Sequence, residues 1–182
     1  MRELALHLLD LAANALQAKA GIIAVRLRLD STADRLTLIV ADDGTGMDPD
    51  LARSACDPFV TTRRGRPVGL GLALLSAAAE RCGGFVRIRS AAGRGTSVCA
   101  AFGLSHPDRA PIGNLAGTMH VLMVSNPLLD FSVGVRRAAC SGTLDTRPMR
   151  ARMPMLRLDE PLVSGWLLER LCFLFPPRLA AI

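Results

Sequence analysis

The sequence predicts an α/β domain, and three observations near its N-terminus carry that expectation. Residues 3–19 have helical spacing with apolar side chains on two flanks. Residues 22–29 and 35–41 alternate with the period of half-buried strands. Residues 69–81 make a second amphipathic helix, and two short strand patterns follow at 85–90 and 96–102.

In the first helix Leu4, Leu8, Leu11 and Ala15 form one apolar stripe, and Leu9, Ala13 and Leu16 form another. Between them His7, Asp10, Asn14 and Gln17 share a narrow polar stripe. A helix apolar on both flanks is expected to be largely buried, so its polar stripe should face something specific such as a ligand. The ordinary alternative is a solvated helix face.

The first strand alternates Ile23, Val25, Leu27 and Leu29 with Ala24, Arg26 and Arg28, and a turn at 30–34 leads to the second. That second strand runs directly into Asp42-Asp-Gly-Thr-Gly-Met47. Residues 48–54 read as a short helix and 55–68 as a loop rich in Pro, Thr, Arg and Gly. Gly83-Gly84 closes the helix over 69–81, and Ala92-Gly-Arg-Gly95 turns the final hairpin. A boundary follows at 105–111. Beyond it we expect a helix near 113–125, strands between 130 and 146, a helical turn near 147–153 and a last helix near 161–173.

Composition narrows the class. The chain has 182 residues, is 50% hydrophobic and 21% charged, and carries a formal net charge of +6. Disordered, collagen-like and coiled-coil chains are excluded by that apolar content. The basic residues are nearly all arginine and are spread along the chain, so neither half is a nucleic-acid tail. Aromatics make up 4%, with no Tyr and one Trp, which leaves little to stack single-stranded bases on. Cys56, Cys82, Cys99, Cys140 and Cys172 match no metal spacing and are expected to be reduced, mostly buried thiols. No apolar run is long enough for a membrane helix and no targeting segment is evident, so the expected location is cytoplasmic.

Several constellations could carry chemistry. Asp10 and Asn14 lie one helical turn apart. A carboxylate can orient or deprotonate water, and a neutral amide oxygen can ligate a hard cation such as Mg²⁺. In Asp42-x-Gly44-x-Gly46 the glycines allow close backbone approach, and the carboxylate suits an amino group rather than a phosphate. Gly69-Leu70-Gly71 opens a helix and follows Thr61, Thr62, Arg63, Arg64 and Arg66, an arrangement suited to anions. Gly95-Thr96 opens the last strand. There is no phosphate loop with its lysine, no dinucleotide fingerprint, no nucleophile elbow and no zinc-protease motif. His7, His106 and His120 are too dispersed to suggest a metal site.

Taken in order, these pieces resemble the GHKL ATPase superfamily of gyrase-type ATPases, the heat-shock chaperone ATPase, sensor histidine kinases and MutL. Asp10-Leu-Ala-Ala-Asn14-Ala15 is similar to its N box, Asp42-Asp-Gly-Thr-Gly-Met47 to its first glycine box and Asp57-Pro-Phe-Val-Thr-Thr62 to its F box. Gly69-Leu-Gly-Leu-Ala73 is similar to the second glycine box and Gly93-Arg-Gly95-Thr96 to the terminal Gly-Thr box. The resemblance implies an α/β two-layer sandwich, a mixed sheet with helices on one face, over residues 1–103. Residues 104–182 would then be a small C-terminal α/β appendage, a candidate for partner docking.

By position, the resemblance implies that Asn14 ligates Mg²⁺, that Asp42 takes the adenine amino group with Thr96 in support, and that Gly44 and Gly46 line the pocket. Gly69, Leu70 and Gly71 would offer N–H groups to phosphates, with Thr62, Arg63 and Arg64 near the γ-phosphate and Arg63–Val68 as a short lid. Hydrolytic members usually carry Glu where this chain has Asp10, so binding is better supported than turnover. A full sensor kinase is not expected, because no histidine here is followed by an acidic residue. The expected function is a Mg²⁺-dependent ATP-binding protein, a slow ATPase acting with a partner protein. The alternatives are a serine protein kinase resembling the anti-sigma-factor kinases and a non-hydrolysing, nucleotide-gated interaction module. The segments 105–113, 126–131 and 144–147 resemble short stand-alone ATP-binding proteins of about this length. The tail arginines Arg136, Arg137, Arg147, Arg150, Arg152 and Arg157 suggest an acidic partner, with a solvated basic face as the bland alternative.

Overall fold

Helix α1 (Leu4–Gln17) opens the chain and leads into strands β1 (Ile22–Asp30) and β2 (Arg35–Asp42), in a computed structural model that describes residues 3–57, 70–138 and 140–180. A short helix α2 (Pro49–Ser54), helix α3 (Leu70–Arg81) and strands β3 (Phe85–Ala91) and β4 (Gly95–Gly103) follow. The chain continues through α4 (Leu115–Ser125), β5 (Asp130–Arg137), β6 (Cys140–Asp145), α5 (Arg147–Arg152), α6 (Pro161–Leu174) and α7 (Pro177–Ala180). Every element expected from the sequence is present within a few residues of its expected bounds.

The strands form one six-stranded mixed sheet in the order β3-β4-β2-β1-β5-β6. All neighbours are antiparallel except β1 and β5, which run parallel from Ile22↔Asp130 to Leu29↔Arg137. A parallel neighbour needs a crossover, and the segment from β4 through α4 to β5 supplies it. Residues 104–180 therefore continue the sheet of the first region rather than standing beside it.

The alternation read in the sequence decides which sheet face is covered. Ile23, Val25 and Leu27 of β1 and Leu36, Leu38 and Val40 of β2 are buried against the helices. They join Leu4, Leu8, Leu75, Phe102, Met119 and Phe131 in one core cluster shared by both regions. Each such side chain contributes about 1.5–3 kcal/mol by leaving water. The opposite face carries Arg28, Arg35, Arg87, Arg89 and Arg136, all exposed.

Two expectations need correction. Helix α1 is buried along one flank only: Leu8 is fully covered, while Leu9 stays 37% exposed. The second apolar stripe is only partly covered, with Ala13 and Leu16 half-buried, whereas His7, placed by spacing in the polar stripe, is buried. The thiols are also less buried than expected, since among the described cysteine side chains Cys82 is buried, Cys56 and Cys99 are intermediate and Cys172 is exposed. No described helix is long and apolar enough to cross a membrane.

Candidate nucleotide site

The end of α1 is fastened to the turn after β2 by two latches. Helical geometry runs out at Ala18, and Lys19 takes a positive φ of 56° to turn the chain. The Ala18 carbonyl then accepts the Thr45 N–H at 2.9 Å. The Asp43 carboxylate accepts the N–H groups of Gly21 and Ile22 at 2.7 and 2.8 Å. Because successive strand residues point oppositely, Asp43 turns toward the α1–β1 connection while Asp42 turns toward the interior.

The β2 turn is also pressed against the β3–β4 hairpin. Gly46 has φ +64° and Gly95 φ +84°, and a Cβ on either would overlap backbone, at the Ala91 carbonyl and the Asp42 carbonyl respectively. Only glycine combines that handedness with that proximity. The Gly93 N–H donates to the Thr45 carbonyl at 2.8 Å, closing the contact.

Ser90 acts as a hub between the two turns. Its hydroxyl accepts the Met47 N–H at 2.8 Å, reaches the Gly95 carbonyl at 3.0 Å and shares a hydrogen bond with the Thr96 hydroxyl at 2.8 Å. Sequence reasoning missed Ser90. The available signal was its place directly opposite Thr96 in the hairpin register.

These elements enclose a cavity of about 430 Å³, a size typical of small-molecule sites. Asp10, Asn14, Asp42, Gly46, Leu70, Gly71 and Thr96 all line it. Gly44 sits just behind, its N–H bound to Asp42 Oδ1 at 2.9 Å. Thr62, Arg63, Arg64 and Gly69 lie outside the described residues, as do most of the F box and the expected lid. Gln17 of the polar stripe and Met47 of the first glycine box also line the cavity, and so do three apolar residues not singled out from the sequence, Val40, Leu51 and Val98. They supply the apolar wall that a planar base would need.

Asp42 has a distinctive electrostatic position. Burial pushes its carboxyl above the usual range, although the Gly44 and Thr96 N–H groups both bind it and pull the other way. A carboxylate has about four lone-pair directions, so it can still accept from an amino group in the cavity.

The donor set near α1 suits Mg²⁺. Asp10 and Asn14 offer hard oxygens to one side of the cavity, and no group of three or more metal-binding His, Cys, Asp or Glu side chains occurs among the described residues. An ion completed by phosphates and water, rather than by a protein cage, fits that arrangement. Gly71 lets α3 begin close against α1: a Cβ there would stand 3.3 Å from the Asp10 Cβ.

Residues 2–106 match the family described as histidine kinase-, DNA gyrase B- and HSP90-like ATPase. Among curated proteins, the sensor histidine kinase ZraS of Salmonella typhimurium is 36% identical over 90 residues, 48% of this chain and 19% of that protein. The sensory histidine kinase/phosphatase NtrB of Rhodobacter capsulatus is 37% identical over 99 residues, 47% of this chain and 28% of its own length. The chain thus spans well under a third of either relative. The solved N-terminal domain of a DNA repair protein superposes with TM-score 0.56 at 15% identity, over 80% of this chain and 53% of that one, a likeness of fold. The sequence match, the mixed sheet with its helix layer and the cavity between α1, β2 and α3 agree, and the chain belongs to the histidine kinase-, DNA gyrase B- and HSP90-like ATPase family, whose common property is ATP binding.

Proposed function

We propose that the chain binds Mg²⁺–ATP in this cavity and hydrolyses it slowly, in concert with a protein partner. The observation that carries the reading is that Asp10, Asn14, Asp42, Gly71 and Thr96, scattered along the sequence, line one cavity. Asp42 accepts the adenine amino group, and Thr96, held by Ser90, supports the same edge. The first turn of α3 presents N–H groups of Leu70 and Gly71 to the phosphates, where a helix start favours negative charge. Asn14 holds Mg²⁺, which when bound neutralises phosphate charge. Asp10 orients and deprotonates the attacking water. Its arm is one carbon shorter than the usual Glu, which keeps the rate low.

Calorimetric titration with Mg²⁺–ATP tests the adenine assignment. Asp42→Asn turns a charged acceptor into an amide whose N–H₂ faces the adenine amino group, and affinity should drop about 100-fold. Equal binding by both proteins sinks the assignment. Affinity should also weaken on acidification from above the ordinary carboxylate range, because the Asp42 carboxyl is raised and its ionised form is the stronger acceptor.

A second reading, a nucleotide-gated interaction module without turnover, is favoured by the Asp at position 10. Phosphate release at background in the native chain, restored by Asp10→Glu, selects it. Label from γ-³²P-ATP appearing on a serine of a co-purified protein instead selects phosphotransfer.

A further inference from the structure

The uncovered face of the sheet has a shape and charge that the nucleotide site does not use. Its middle is floored by Thr37, Ile39 and Ala41 of β2 and Ser97, Cys99 and Ala101 of β4, all small or short. On one side β3 raises Phe85, Arg87 and Arg89, and on the other β1 and β5 raise Arg28 and Arg136, which pair across the register. From β3 to β1 is three strand spacings, roughly 14 Å. A helix with its side chains is about 10–12 Å across.

The positive charge of this face is largely unanswered. Arg35, Arg87, Arg89 and Arg136 are exposed, and among the described residues no carboxylate forms an ion pair with them. The carboxylates nearest in the sheet are already occupied: Asp30 by Arg28, Asp145 by Arg147 and Asp130 by Arg150. Arg35 and Arg87 instead lie over the Phe85 ring, 6.0 and 5.3 Å from its centre. Those guanidinium groups cap the one aromatic ring that the described residues place on this face, which leaves it a poor stacking platform for single-stranded nucleic acid.

We propose that this face docks an acidic amphipathic helix of a partner protein. Its apolar stripe lies on the partly exposed Ile39 and Cys99, and its flanking carboxylates meet Arg87 and Arg89 on one rim and Arg136 on the other. Fork-shaped guanidinium groups match carboxylates in two-point contacts, which favours acidic side chains over other acceptors. None of these residues lines the nucleotide cavity, so the docking surface and the ATP site are separate.

The probe is a fluorescein-labelled synthetic peptide of about 20 residues, long enough to hold a helix, with Leu on one face and Glu along both borders. Controls are a peptide of the same composition in permuted order, oligo-dT and a short DNA duplex. On the full chain the amphipathic peptide should bind at least about tenfold tighter than the permuted one and weaken with salt. Arg87→Glu/Arg89→Glu, and separately Arg136→Glu, should each lower its affinity at least about tenfold while melting temperature is retained. In the unaltered protein the bound peptide should shield Cys99, on the floor, from iodoacetamide and leave exposed Cys172 reactive. Equal binding of the permuted peptide, unaltered Cys99 labelling or indifference to the charge reversals overturns the proposal. Tighter binding of either nucleic acid overturns it in favour of a nucleic-acid face.

Discussion

The two halves of the sheet spend their polar side chains in opposite ways. Around β2 and β4, Asp10, Asn14, Asp42 and Thr96 are gathered about open space. Around β5 and β6 the polar groups close on one another. Arg150, with its side chain only 15% exposed, donates to Asp130 and to the carbonyls of Pro127, Leu129 and Leu156. Thr146 is fully buried, receives the Phe131 N–H and donates to Asp130. Convergence on a cavity marks a place built for something else to enter. Convergence on other protein groups marks structure.

Three substitutions and one matched control sharpen that contrast. The largest effect is expected at Gly46. An alanine there must relieve an overlap with the Ala91 backbone as well as an unfavourable φ, at a cost of more than about 3 kcal/mol, with loss of nucleotide binding. Gly93 is the matched control, with φ +70° but open space around it, so Gly93→Ala should cost only about 1 kcal/mol and leave binding intact. Thermal melts with and without Mg²⁺–ATP read both quantities.

Next comes Arg150→Ala, which strands a partly buried Asp130 carboxylate and several carbonyls. Urea unfolding should show a loss of about 2–3 kcal/mol, while nucleotide affinity in the surviving folded protein changes less than about twofold. A large loss of affinity would erase the distinction between the two halves.

The smallest effect belongs to Asp145. The Arg147 side-chain hydrogen bonds hold its carboxyl down to about 2 from an ordinary 3.8. A depressed carboxylate stabilises the fold above the unfolded value and loses that contribution as pH falls through the folded one. Asp145→Asn should therefore cost up to about 1 kcal/mol at neutral pH, discounted because Arg147 is half exposed, and the difference from wild type should vanish between 3.8 and about 2. A melting series over that pH range checks it.

Much of this was legible in the sequence for a physical reason. Strand alternation at Ile23–Leu29 and the one-turn spacing of Asp10 and Asn14 are local patterns, and local patterns survive in one dimension. The hub at Ser90 was not legible, because its partners Met47 and Thr96 come from a different turn and a facing strand. Which of the tail arginines are paired was not legible either, for the same reason. Arg147, Arg150 and Arg157 count as positive charge in a composition, yet Asp145, Asp130 and Asp159 hold them. The unanswered charge sits on the sheet, where alternation hid it inside strands that otherwise looked merely half-buried.

The parallel pairing of β1 with β5 bears on how the chain can be cut. A fragment ending near residue 103 would keep every residue now lining the cavity, yet it would strip β1 of its neighbour from Ile22 to Leu29. That strand would become a long, regular edge with its ladder of amides and carbonyls bare and Ile23, Val25 and Leu27 beside it, a template for another copy to add to. Such a fragment is expected to self-associate through that edge, whereas in the whole chain β5 caps β1 from Ile22 to Leu29.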